Sequence, residues 1–516
     1  MKLRTFALSA LLLTSPAFTF AATEKPAAHA EAGIDWYKGD VDAAFSYAKK
    51  HNKPLFLYWG AVWCPPCNQV KATVFNRQGF IERSRFFVPV HLDGDDPSAQ
   101  KLGARFKVRG YPTMILFHPD GTEITRLPGE VDSERYLQVL ELGMNAGHSV
   151  KDTLRVALAD GSKLTADDWR LLAYYSWDTD EQQMMSAKEL PTTLQRLAAL
   201  CPPGDTATHL ALSALVAAAT AAPVDVPSVD KTAATQLLLK VLRDPRVSRD
   251  NMDILTNYSS EIVTLVSEPK SDARAQLAKA WDGAMERLAD DTTLSKADRL
   301  SAIDTEVALA RLDIPEGPLA PALVQEVRQR VAAADHATTD IYERQSVINN
   351  AQQTLSDAGL IDESDVLLKA ELKRSHSPYY FMKDLAANAK KRGDTKAALD
   401  WYEQAYNAAK GPATRLQWGS AYLGGLLELA PDDEKRIEKA ANSIIGELGD
   451  TQNAFYERNR RELEKLGHKF QVWNTLGQHD AVFKKVHQHL SGVCSKLPAN
   501  DPQRATCEGV LETAKS

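Results

Sequence analysis

Two cysteines separated by two prolines, in the sequence W-C-P-P-C at residues 63–67, are the residues most able to do chemistry in this chain. A cysteine at the start of a helix lies among unpaired backbone N–H groups and near the positive end of the helix dipole, so its thiolate is favoured. The thiolate is the attacking form of cysteine, which makes Cys64 the predicted nucleophile. Cys67, about one helical turn later, is placed to resolve a mixed disulfide on Cys64.

A C-x-x-C pair also occurs as half of a zinc site, and as an inert structural pair. Zinc requires further ligands at matching spacing, and the other cysteines, Cys201, Cys494 and Cys507, are far away in sequence. The spacing therefore favours redox chemistry over both alternatives, and we expect no metal and no cofactor.

The flanking segments predict how the pair is positioned. A nearly continuous apolar run at 55–59 predicts a buried strand before Cys64, and the apolar residues of 70–75 predict a helix after it. Further predicted elements are helices at 42–50, 98–106 and 133–142 and strands at 86–92, 114–117 and 123–127, with a Pro-Asp-Gly turn between the last two strands. Pro89 within its strand indicates a bulge or a sheet edge.

This order of elements, with W-C-x-x-C after one strand and Gly-Tyr-Pro-Thr (110–113) before another, resembles the thioredoxin family, and in particular its exported subgroup. The resemblance covers about residues 34–147. It implies an α/β thioredoxin-like domain, a central mixed sheet flanked by helices, with Cys64 and Cys67 as catalytic residues. It also implies a cis bond before Pro112, and substrate binding by Trp63, Tyr111 and Pro112. A packing role for Tyr111 is the alternative.

The chain departs from the family pattern around the resolving cysteine. Many members carry a buried Asp six residues before the first cysteine, where this chain has Tyr58, and others an acid four residues after the second, where it has Lys71. The group that deprotonates Cys67 is thus unassigned. His91 is a candidate, and a buried core histidine is the simpler interpretation.

The N-terminus has the pattern of a secretory signal, with Lys2 and Arg4 before an apolar stretch and a cleavage motif ending at Ala21. An uncleaved membrane anchor is the alternative. We predict a signal peptide at 1–21, a flexible leader at 22–33, and a periplasmic protein without a membrane span in its mature chain.

From residue 148 the composition favours helices only, and we predict helical domains at 148–340 and 341–516, with an Ala/Pro/Val-rich linker at 217–229. Gly359 and Gly393 lie 34 residues apart, as do Pro378 and Pro412. This period resembles the tetratricopeptide repeat, whose stacked helix pairs bind protein partners on a concave surface. A non-repetitive helical bundle is the alternative.

Cys494 and Cys507 are predicted to form a structural disulfide, although pairing of Cys201 with either stays open. The 61 basic and 68 acidic residues give a net charge of −7 and no indication of nucleic-acid binding. Two functions then compete. One is an exported thiol–disulfide oxidoreductase that acts on protein thiols and disulfides and exchanges electrons with a periplasmic or membrane partner, its helices recruiting substrates. The other is an interaction or chaperone-like protein that keeps the thioredoxin fold as a binding module.

Overall fold

The computed structural model of the chain describes residues 33–129, 132–177, 179–180 and 183–511. The predicted signal peptide and the leader up to residue 32 lie outside these residues. No helix within the described ranges is long and apolar enough to cross a membrane.

A four-stranded mixed sheet forms the centre of the N-terminal part. Its strands are β1 (Leu55–Gly60), β2 (Val88–Asp93), β3 (Thr113–Phe117) and β4 (Glu123–Leu127), in the spatial order β2-β1-β3-β4. Strand β1 is parallel to β2 and antiparallel to β3, and β3 and β4 form an antiparallel hairpin. The mixed sheet confirms the predicted fold class.

The local sequence explains the positions of the strands. All six residues of β1 are buried, as expected for a central apolar strand. Pro89 lies in β2, an edge strand, where a missing backbone N–H is tolerated. Gly121 in the hairpin turn has a φ of +91°, which glycine adopts without a Cβ penalty.

Five helices surround the sheet. The second begins directly after Cys64 and continues as a π-helical turn over Lys71–Phe75, and the third had no counterpart in the sequence prediction. The five are α1 (Val41–His51), α2 (Pro65–Val70), α3 (Gln78–Ser84), α4 (Ala99–Phe106) and α5 (Ser133–Met144).

The rest of the described chain is helical, as predicted. A short 3₁₀ turn, Gly161–Lys163, follows the first helix of this region. The helices are α6 (Val150–Asp160), α7 (Ala166–Ala173), α8 (Leu190–Leu200), α9 (Asp205–Thr220), α10 (Lys231–Arg243), α11 (Pro245–Asp250), α12 (Met252–Asn257), α13 (Ser259–Val266), α14 (Asp272–Asp290), α15 (Lys296–Asp313), α16 (Pro321–Ala337), α17 (Ile341–Asp357), α18 (Ile361–Glu371), α19 (Pro378–Lys391), α20 (Thr395–Ala408), α21 (Pro412–Leu429), α22 (Glu434–Gly449), α23 (Glu457–Trp473), α24 (Asp480–Cys494) and α25 (Pro502–Gly509).

The predicted linker at 217–229 is shorter than expected, because α9 runs to Thr220 and α10 begins at Lys231. Alanine is a strong helix former, so the Ala-rich start of the linker extends the preceding helix.

The predicted 34-residue period coincides with helix boundaries. Gly359 and Gly393 adopt positive φ values between paired helices, and Pro378 and Pro412 occupy the first positions of α19 and α21. The tetratricopeptide-like interpretation stays a prediction.

The apolar core is continuous across the N-terminal sheet and much of the helical region. One cluster joins the face of the sheet that carries Phe56 and Tyr58 to residues of α6–α9 and α19–α25. The opposite face of the sheet packs on α1 and α4, and a separate cluster fills α9–α17. The predicted division at residues 147 and 340 stays a prediction.

Candidate functional site

Cys64 and Cys67 are joined by a disulfide at the end of β1, where the chain enters α2. Cys64 is the N-cap residue of α2, and its sulfur accepts a hydrogen bond of 3.2 Å from the backbone N–H of Cys67. Pro65 follows at the first helical position, where proline costs no helical hydrogen bond. After reduction of the disulfide, this N–H donor and the helix dipole would stabilise a thiolate on Cys64.

The buried side chain of Asn68 fixes the turn that carries the disulfide. Its amide nitrogen donates to Val62 O and to Cys64 O, each over 2.8 Å. These bonds tie the residues before the helix to its first turn, so the two sulfurs are held on a rigid element. No sequence pattern marks Asn68 for this role.

The loop before β3 lies beside the disulfide turn. Trp59, near the end of β1, pairs with Thr113 at the start of β3. The loop after β1 and the loop before β3 therefore lie at the same end of these two strands. The Tyr111–Pro112 peptide bond is cis, as predicted. The Tyr111 ring contacts the Trp63 ring edge-on, with 6.2 Å between centroids. Tyr111 therefore contacts the residue that precedes Cys64, and Pro112 follows Tyr111 in the same loop.

His91 is half-buried and packs against two aromatic rings. Its ring stacks on Tyr58 with 4.9 Å between centroids and lies 5.6 Å from that of Trp36. Burial, and secondarily the charge of Lys71, lowers the pKa of His91 to about 3. So weak a base is a poor proton acceptor for Cys67, which favours the core-histidine interpretation.

The helical region covers the disulfide. Cys64 retains 2% of its exposure and Cys67 none. The helix α2, which carries both prolines, packs against α17. The spacing of the motif gave no indication of this burial.

Trp63 is surrounded by side chains of the helical region. Its indole N–H donates to Thr414 Oγ1 over 2.9 Å, and its carbonyl accepts from the Gln345 amide over 3.1 Å. Tyr380 stacks on its ring with 6.1 Å between centroids, and Trp418 meets it edge-on at 4.9 Å. These four partners come from α17, α19 and α21.

Further polar contacts lie around this centre. Asp95 accepts two hydrogen bonds from Thr414, one from the backbone N–H over 2.8 Å and one from the hydroxyl over 2.5 Å. Burial raises the pKa of Asp95, and the bonds from Thr414 oppose that shift. His376 Nε2 donates to Val62 O over 3.0 Å, and the Arg458 guanidinium lies 5.0 Å from the centre of the Tyr111 ring.

Sequence reasoning missed Gln345, Tyr380, Thr414, Trp418 and Arg458. They follow Trp63 by roughly 280 to 400 residues and form no recognisable motif, so only the fold brings them to the disulfide. In the part of the chain that the structure describes, no group of three or more His, Cys, Asp or Glu side chains could hold a metal ion.

The structure shows how the remaining three cysteines are paired. Cys494 and Cys507 form the predicted disulfide between α24 and α25. Because these two cysteines are bonded to each other, Cys201 pairs with neither of them and is a buried free thiol. Burial raises the pKa of the Cys201 thiol to about 11.

A mixed sheet whose central strand leads into a disulfide at a helix N-terminus, beside a cis-proline loop, defines a thioredoxin-like domain with a C-x-x-C redox centre. Residues 41–143 match the family model described as a thioredoxin-like domain. The domain is thus established for this part of the chain, about a fifth of its length.

Two curated relatives are called thiol:disulfide interchange protein DsbD. The one from Pseudomonas fluorescens (strain Pf-5) is 31% identical over 103 residues, which are 19% of this chain and 18% of the relative. The one from Pseudomonas aeruginosa (strain PAO1) is 29% identical over 97 residues, 18% of this chain and 16% of the relative. The chain thus spans less than a fifth of the length of either relative. A solved structure, a DsbH oxidoreductase, aligns with 24% of this chain and 94% of its own, at 19% identity and a TM-score of 0.20.

Proposed function

We propose that the protein is an exported thiol–disulfide oxidoreductase that exchanges disulfides with protein substrates through Cys64 and Cys67. The observation that carries the proposal is the Cys64–Cys67 pair at the N-terminus of α2, beside the Tyr111–Pro112 loop. The names of the two partial relatives, both thiol:disulfide interchange proteins, support the same chemistry.

The exchange proceeds in two thiol–disulfide steps. In the reduced chain, the Cys64 thiolate attacks one sulfur of a substrate disulfide, whose S–S bond breaks as a mixed disulfide forms. The Cys67 thiolate then attacks the Cys64 sulfur, which releases the second substrate thiolate. The substrate gains two electrons and two protons and leaves as a dithiol, and the chain ends as the Cys64–Cys67 disulfide. The reverse sequence oxidises a substrate dithiol.

Residues around the pair supply binding rather than chemistry in this scheme. We expect Trp63, Tyr111 and Pro112 to contact an extended substrate segment, which would pair with backbone groups of the cis-proline loop. The N-terminal signal pattern supports a periplasmic location, where disulfide exchange operates. The helical region recruits protein partners, on the basis of its 34-residue spacing.

A trapping experiment on the full-length chain tests the exchange. Cys67→Ser removes the resolving thiol, so mixed disulfides with protein partners are expected to accumulate on Cys64 in a periplasmic extract. The matched Cys64→Ser variant should form none, and Cys201→Ala should behave like the wild type. Adducts on Cys67 in Cys64→Ser would reverse the two roles, and their absence from both variants would contradict the proposed exchange.

A second candidate, an interaction protein that keeps the domain as a binding module, is favoured by one observation, the burial of the disulfide. In that case the disulfide is structural, and the Cys67→Ser variant would capture no partner. The trapping experiment therefore decides between the two.

A further inference from the structure

The disulfide is closed off on the side that an oxidoreductase presents to its substrates. With exposures of 2% and 0%, neither sulfur can be reached by another protein in this conformation. A sulfur attack requires the three sulfur atoms of the exchange to approach one another directly, so burial of both cysteines blocks the reaction.

The groups that close the site occupy the surroundings of Trp63. Tyr380 and Trp418 lie against its ring, and the Arg458 guanidinium lies 5.7 Å from the ring centre. Thr414 and Gln345 bind its indole N–H and its carbonyl. An extended peptide bound beside Trp63 and Tyr111 would need the same space.

The contact is rich in polar groups around this aromatic centre. On one side, the Gln69 amide donates to Asp298 over 2.6 Å. On the other, Arg461 donates to the carbonyls of Val108 and Arg109, over 2.9 and 3.0 Å. These polar groups regain hydration when the two surfaces part, which offsets part of the cost of exposing the aromatic contacts around Trp63.

We propose that α17, α19, α21 and α23 form an intramolecular cover that holds the redox centre in a closed, unreactive state and must move aside before a protein disulfide reacts. The proposal rests on the proposed function and adds its regulation: the cover competes with the substrate for Trp63. A cavity of about 170 Å³ beside Pro65 and Pro66 is too small for a polypeptide, so it gives no alternative entry to a protein substrate.

The rate at which a phosphine reduces the buried disulfide measures opening of the cover. Tris(2-carboxyethyl)phosphine gives two electrons to the disulfide, which becomes two thiols, and takes an oxygen from water as it becomes the phosphine oxide. Alkylation at timed intervals and mass spectrometry of the Cys64–Cys67 peptide give the rate in the oxidised, full-length chain. The same chain unfolded in urea supplies the fully open limit.

Thr414→Val combined with Gln345→Ala removes the hydroxyl and the amide that bind Trp63. Since buried partners are left unpaired, we expect reduction to accelerate about tenfold or more. Thr414→Ser, which keeps the hydroxyl, should react at the wild-type rate. Thr395→Val combined with Gln353→Ala, the same chemical changes at exposed positions of α20 and α17, should do likewise. Thermal unfolding shows whether each variant keeps its fold.

The proposal is overturned if the wild type is reduced as fast as the urea-unfolded chain, or if the double variant, still folded, is reduced at the wild-type rate. Both readings are independent of the trapping experiment. If the double variant opens but still traps no partner when Cys67→Ser is added to it, the cover stands and the exchange is contradicted. If partners are trapped while the double variant is reduced at the wild-type rate, the exchange stands and the cover is contradicted.

Discussion

At the scale of single residues, the disulfide turn depends on Asn68. Its amide is the donor to both Val62 O and Cys64 O, and the side chain is buried, so water does not replace these bonds when the amide is lost. A hydrogen bond at the surface would be worth much less.

Asn68→Ala is therefore expected to destabilise the turn by about 1–3 kcal/mol. Hydrogen exchange of the peptide spanning residues 61–70 should accelerate by about tenfold or more. Asn407→Ala, at an exposed position of α20, is the matched control and should leave that peptide unchanged. Equal protection in the two variants would show that the turn is held by other contacts.

His91 makes the stability of the chain depend on pH in a defined direction. Its pKa is about 3 in the fold and 6.5 for the free side chain, because burial disfavours the imidazolium. The unfolded chain therefore binds the proton first, and stability is lost as the pH falls from about 6.5 towards 3. Asp93 acts in the opposite direction, because burial raises its pKa to about 6. The buried carboxylate destabilises the fold above that pH, and this destabilisation is lost as the carboxylate is protonated at lower pH.

Replacing His91 by Phe keeps a ring between Tyr58 and Trp36 and removes the titration. We measure the free energy of unfolding in urea for His91→Phe and for the wild type at pH 7 and at pH 5. The difference, variant minus wild type, should be about 2 kcal/mol more favourable to the variant at pH 5 than at pH 7. A stability difference that is the same at both pH values would contradict the lowered pKa.

At the scale of elements, the strands and helices of the N-terminal domain follow from local patterns. The apolar run of β1, the turn residues at 119–121 and the cysteine at a helix start were sufficient to predict most of them. The boundary after α9 was misplaced because alanine continues a helix where a linker was expected. The cover around Trp63 could not be predicted, since Gln345 and Thr414 carry no sequence pattern and meet the site only through long-range packing.

The disulfide between α24 and α25 should stabilise the end of the described chain. The two cysteines are separated by 13 residues in sequence, and closing such a loop is worth about 3 kcal/mol in the chain-entropy model. In Cys494→Ala/Cys507→Ala we expect faster proteolysis within α25. Cys201→Ala, which removes a cysteine without breaking a bridge, should show none of this, and equal cleavage in both variants would contradict the stabilising role.

At the scale of the whole molecule, the thioredoxin-like domain shares an apolar core with distant helices. Trp418 of α21 is in the same cluster as Phe56 and Met114 of the sheet, and it contacts Trp63 directly. Trp281 of α14 is as deeply buried, but its cluster contains no residue of the sheet. The two tryptophans therefore offer the same chemical change in two different cores.

Trp418→Ala and Trp281→Ala should each cost about 3–5 kcal/mol locally, because both remove a buried indole. Only Trp418→Ala is expected to accelerate hydrogen exchange in β1 and β3, since only this side chain belongs to the core that the sheet shares with the helices. Trp281→Ala should instead accelerate hydrogen exchange in α12 and α14, because the Trp281 indole of α14 donates to Leu255 O of α12 over 3.0 Å. Equal exchange in the sheet of both variants would show that the thioredoxin-like domain keeps its stability independently of the helical cover.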